Sequence, residues 1–119
     1  MFLLSSVYSR MNLAFTLADY CYEDMFYDCT GLTDAPDLPA TSLEYYCYDW
    51  MFNGCSKLNY VKALFIDHPA TNTDYTRDWL EGVATSGEFV MNAAATWDPT
   101  TSVGPDCVPD GWTVTKVTE

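Results

Sequence analysis

LADYCYEDMFYDCTGL, residues 17–32, is written again 26 positions later as LEYYCYDWMFNGCSKL, residues 43–58. Leu17, Tyr20, Cys21, Tyr22, Met25, Phe26, Cys29 and Leu32 recur as Leu43, Tyr46, Cys47, Tyr48, Met51, Phe52, Cys55 and Leu58. The identities fall on apolar positions. A repeat of this length marks a solenoid, in which each unit buries its apolar side against the next. Function in such chains lies in the surface they present.

Within each copy Leu17, Cys21, Met25, Cys29 and Leu32 are spaced by four, four, four and three residues, with Phe26 alongside. That spacing predicts an apolar stripe on a short helix. Gly31 and Gly54 stand where such helices should stop. Beyond them, Leu32, Ala35 and Leu38 match Leu58, Val61 and Leu64, which reads as a brief strand in each unit. Pro36 and Pro39, in TDAPDLPATS between the copies, forbid a continuing helix. The expected fold is α/β: a short solenoid of 26-residue units with short parallel strands near 32–35, 58–64, 88–91 and 112–117.

Three segments follow from the register. Residues 1–16 form a degraded partial repeat, residues 17–65 hold two full repeats, and residues 66–119 are an irregular capping segment. In the last, Tyr75, Trp79, Leu80 and Val83 have helical spacing, with Thr73 or Asp74 as N-cap. GEFVM and GWTVTKV read as the closing strands, and a loop over 92–111 is anchored by Trp97.

The Met-Phe-x-x-Cys-x-x-Leu pattern, at Met25–Leu32 and again at Met51–Leu58, followed by a strand and a proline, resembles the BspA-like leucine-rich repeats. VATSGEFV and VPDGWTV are similar to the closing segment of many such arrays. The resemblance covers most of residues 13–117. It implies a non-enzymatic protein-binding or adhesion module at a bacterial cell surface, of the kind found in Bacteroides and other gut and oral Bacteroidetes, in protists and in some bacteriophage proteins. MFLLSS lacks a basic n-region and an h-region of usable length, so no export signal is expected from it. This favours the alternative of a structural or assembly subunit of a phage particle or surface appendage, placed in the virion rather than at a cell surface.

Composition narrows the partners. Seventeen acidic residues against five basic ones give a formal net charge of −12. Such a surface repels nucleic-acid phosphates and serves solubility. No run reaches the ~20 apolar residues of a membrane span. Glu23, Asp24 and Asp28 offer at most loose cation binding, since no calcium-loop spacing is present. No cofactor motif and no catalytic constellation occurs, and the single histidine, His68, reads as an exposed loop residue. The four repeat cysteines are not spaced as zinc ligands. They are expected as buried free thiols, with Cys21 over Cys47 and Cys29 over Cys55, a stacking that also leaves disulfides open.

The aromatics are the candidate binding surface: Tyr20, Tyr22, Tyr27, Tyr45, Tyr46, Tyr48 and Trp50. Tyr20 should stack on Tyr46 and Tyr22 on Tyr48, with one of the two ladders filling the core edge. Exposed Tyr and Trp supply rigid contact area at low entropic cost. The positions that vary between copies, Ala18/Glu44, Asp19/Tyr45, Asp24/Trp50, Tyr27/Asn53 and Asp28/Gly54, are expected to face outward. At the other end Phe2, Leu3, Leu4 and Val7 have no upstream unit to pack on, which predicts self-association through the N-terminal end.

Overall fold

The structure is a computed structural model, and it describes residues 13–68, 75–99 and 108–118. Among the described residues three strands, β1 (Tyr60–Ala63), β2 (Gly87–Asn92) and β3 (Trp112–Val117), form an open parallel sheet in the order β1-β2-β3. Val61 faces Phe89, and Phe89 faces Val114. The strands expected near 58–64, 88–91 and 112–117 are therefore present, and they run parallel.

The strand expected at 32–35 is reduced to two isolated parallel bridges, Asp34 with Tyr60 and Leu38 with Ala63. The chain supplies the reason. Pro36 and Pro39 carry no N–H, so a continuous ladder cannot form there. Ala35 and Leu38 still donate to the carbonyls of Tyr60 and Lys62 at 3.0 and 2.9 Å. One extra residue separates the two bridges on the proline side, and it absorbs the break.

No helix occurs among the described residues. The helices expected within 17–32, 43–58 and 72–83 are instead ribbons of overlapping tight turns, and the proposed caps Thr73 and Asp74 lie outside the described residues. In the first ribbon the N–H groups of Cys21, Glu23, Met25, Tyr27 and Cys29 each donate to the carbonyl three residues back. The alternate N–H groups leave the ribbon. Tyr20, Tyr22, Asp24, Phe26 and Asp28 donate to the carbonyls of Tyr45, Cys47, Asp49, Met51 and Asn53 at 2.7–3.2 Å. The second ribbon repeats the device: Tyr48, Trp50, Phe52 and Gly54 donate to Tyr75, Arg77, Trp79 and Glu81 at 2.8–3.0 Å. A helix would keep these bonds within its own segment. Here half of them join neighbouring copies, so backbone pairing stacks the repeats directly.

The turns explain the four-residue spacing. Positive φ recurs at Tyr20, Asp24 and Asp28, then at Tyr46, Trp50 and Gly54, then at Asp78 and Gly82. In turns 18–21, 22–25 and 26–29 that residue occupies the third place, where a type II turn requires φ above zero. The ribbon thus has a strict period of four. In the central ribbon Cys47, Tyr48, Met51, Phe52 and Cys55 point inward and are buried, while Tyr45, Trp50, Asn53 and Gly54 lie on the outward side. Asp49 shares that side but is buried, because its carboxylate turns in to accept the Arg77 N–H at 2.9 Å.

The core fills the space between ribbons and sheet. Phe26, Leu32, Leu38, Phe52, Leu58, Val61, Phe65, Trp79, Phe89 and Met91 are fully enclosed. Phe26 and Phe52 stack with centroids 5.7 Å apart and planes 2° from parallel, and Leu32 and Leu58 are both buried, as the register predicts. Two expected core positions fail. Cys21 is exposed, and Met25 is 38% exposed. Cys47 and Met51 belong to a ribbon bonded on both sides, whereas the first ribbon bonds, among the described residues, only to the second.

Candidate functional site

Outward residues of the turn ribbons gather their exposed aromatics, Tyr20, Tyr27, Tyr45 and Trp50, into two groups. Tyr20 stacks on Tyr46 at 4.6 Å, Tyr46 adjoins Tyr45 at 6.2 Å, and Tyr45 stacks on Tyr75 at 5.3 Å. One chain of four rings therefore crosses all three ribbons. Tyr27 and Trp50 form the second group, with centroids 5.9 Å apart and planes inclined by 50°. Tyr20, Tyr27, Tyr45 and Trp50 are exposed, while Tyr46 and Tyr75 are half-buried.

The remaining two candidates belong to the interior side. Tyr48 is fully buried and stacks on Trp79 at 5.9 Å, so it offers no contact surface. It follows an inward cysteine in the four-residue repeat, which removes it from the outward set. Tyr22 stacks on Tyr48 at 6.4 Å and is half-buried, and its hydroxyl accepts the Ala14 N–H at 2.8 Å. The ladder Tyr22–Tyr48 fills the core edge, and the ladder Tyr20–Tyr46 faces out.

Sequence reasoning missed the role of Tyr75 on this face because it assigned that tyrosine to a capping helix. The pairing of β1 with β2 runs at an offset of 28 residues, Tyr60 to Glu88, so the third ribbon is out of the 26-residue register. Phe15, 78% exposed, was also passed over. The repeated doublets Cys-Tyr and Met-Phe at strict four-residue spacing were the available signal.

The site's chemistry is recognition by rings and carboxylates. Glu23, Asp24, Tyr27 and Trp50 line an open groove of about 430 Å³. Asp28, the third member of the expected acidic trio, lies instead against Gly54 of the next ribbon. Among the described residues no group of three His, Cys, Asp or Glu side chains is arranged to hold a metal ion. His68 is not the exposed loop residue expected: it is half-buried, with Nε2 2.6 Å from Thr76 Oγ1 and its ring 6.0 Å from Phe65.

The cysteines are free thiols at Cys21, Cys29, Cys47 and Cys55, and Cys107 lies outside the described residues. Burial pushes Cys47 and Cys55 up to about 12 and raises Cys29 as well. Cys55 also donates its S–H to the Phe26 carbonyl at 3.0 Å. At neutral pH these are protonated packing groups, since the nucleophile is the thiolate. No helix among the described residues is long and apolar enough to cross a membrane. Comparison with protein-family models, curated proteins and solved structures gave no match for this chain.

Proposed function

We propose that the chain is a non-enzymatic protein-binding module, a short solenoid of the leucine-rich repeat type serving adhesion at a bacterial cell surface. The observation that carries this reading is the outward aromatic set, Tyr20, Tyr27, Tyr45 and Trp50, exposed on turn ribbons whose backbones are cross-bonded. Large rings displayed on a fixed scaffold lose little entropy when they meet a partner. The 26-residue register, the inter-copy bonds and the parallel strands support the solenoid.

A second reading is an assembly subunit of a phage particle or surface appendage. It is favoured by β3, which pairs only with β2 among the described residues and so leaves one backbone edge for a further strand. The two readings separate in one experiment. The chain, displayed in many copies on beads, is mixed with intact bacterial and epithelial cells before and after protease shaving. The adhesion reading expects binding that shaving removes. It also expects loss of binding in the variant Tyr20→Asn, Tyr27→Ser, Tyr45→Ser, Trp50→Asn, with a cooperative melt and an unaltered circular dichroism spectrum showing that the fold is kept. A chain that ignores cells and instead forms regular oligomers in light scattering would support assembly and reject adhesion.

A further inference from the structure

Tyr27 and Trp50 come from different repeats, and their inclined rings make an open wedge. Glu23 and Asp24 close the groove with two carboxylates that form no ion pair among the described residues. Among the described residues no cationic side chain lines it. The wedge is absent from the equivalent place one repeat on. There Asp49 and Trp50 replace Glu23 and Asp24, and Asn53 replaces Tyr27. The groove is therefore specific to the junction of the first and second ribbons.

We infer that this groove binds an arginine or lysine side chain of a basic partner polypeptide. A cation gains energy over the face of a Trp or Tyr ring when it sits within about 6 Å of the centroid. A guanidinium also stacks flat on a ring while its N–H groups reach a carboxylate in bidentate fashion. The groove offers both kinds of partner, and the net charge of −12 steers a basic chain toward it. The inference rests on the protein-binding reading and names the partner's charge.

The test uses a hexa-arginine peptide titrated into the full chain at near-physiological salt. Trp50 reports the binding by fluorescence, because Trp79 and Trp112 are buried and Trp97 is half-buried. Saturable quenching is expected, with affinity falling about tenfold in Glu23→Gln/Asp24→Asn and also in Trp50→Asn, where isothermal titration calorimetry replaces the lost fluorescence reporter. Asparagine suits both Asp24 and Trp50, whose φ values are +60° and +59°, since it tolerates the left-handed region. Asp37→Asn/Asp110→Asn removes the same charge elsewhere and should leave affinity within about twofold. Equal weakening by both charge-matched pairs would reduce the effect to net charge and overturn the groove. Cell binding that survives excess peptide, yet is lost in the fourfold aromatic variant, would overturn the groove and leave the protein-binding reading intact. Loss of neither would reject both.

Discussion

At the scale of single residues, the turn ribbons carry a backbone cost that the sequence distributes unevenly. Asp28, Gly54 and Gly82 occupy equivalent places, all with positive φ. A side chain with a Cβ costs about 1–2 kcal/mol in that region, and glycine does not. Asp28→Gly should therefore raise unfolding free energy by up to about 1 kcal/mol. Gly54→Ala should lower it by about 1–2 kcal/mol. Its new Cβ meets Asp28 Oδ1 at 2.7 Å and Asp28 Cα at 3.3 Å, so backbone and side chain both resist. Urea denaturation of the two variants checks the opposite signs, and equal effects would mean the ribbon is not held by these turns. Tyr48 gives a second residue-scale case. Its hydroxyl is buried without a hydrogen-bond partner among the described residues. Such a group costs its desolvation, on the order of 1–3 kcal/mol. Tyr48→Phe keeps the ring stacks on Tyr22 and Trp79 and should stabilise the chain by about 1 kcal/mol. A lower urea midpoint for Tyr48→Phe would show that the hydroxyl is bonded after all.

Among the elements, the strands were legible and the ribbons were not. β2 announces itself as a short apolar run after Gly87, buried at Phe89, Val90 and Met91, and β3 as an alternating run after Gly111. The four-residue stripe misled because a helix and an overlapping-turn ribbon both bring positions i and i+4 to one side. A helix advances about 100° per residue, so a strict spacing of four drifts about 40° per step. Three such steps from Leu17 to Cys29, with paired Cys-Tyr and Met-Phe doublets, fit the ribbon better. What the sequence does not display is the bonding between copies, because backbone donors look alike in every residue. The binding face was partly legible for the same reason: outward positions follow from the repeat, whereas the enclosure of Tyr48 depends on the third ribbon and its 28-residue offset. The Phe26–Phe52 stack ties first ribbon to second, and Phe52 also meets Trp79 of the third at 6.3 Å. Phe52→Ala should cost about 3–5 kcal/mol, whereas Phe15→Ala, at an exposed ring, should change stability by less than about 0.5 kcal/mol. Thermal melts of both variants check the contrast, and equal melting temperatures would break the proposed stacking order.

On the scale of the whole molecule, stability should fall in alkali sooner than exposed charges alone would require. Cys47 and Cys55 are enclosed between ribbons, and burial lifts their thiols from 9.0 to about 12. Tyr48 is shifted upward by the same cause. Each group holds its proton more tightly folded than unfolded. Their contribution is therefore complete below pH 9, where both states are protonated, and is lost as pH rises toward 12, because the unfolded chain ionises first. The denaturation midpoint should be level from pH 7 to about 8.5 and then decline through pH 11. Many acidic groups cannot produce this window, since carboxylates are already ionised across it. The discriminating variant is Cys47→Ala/Cys55→Ala, which lowers stability at neutral pH through lost packing but flattens the alkaline slope. Wild type and variant declining in parallel above pH 9 would mean that neither thiol is held in the interior, and that the ribbons do not stack as the inter-copy bonds require.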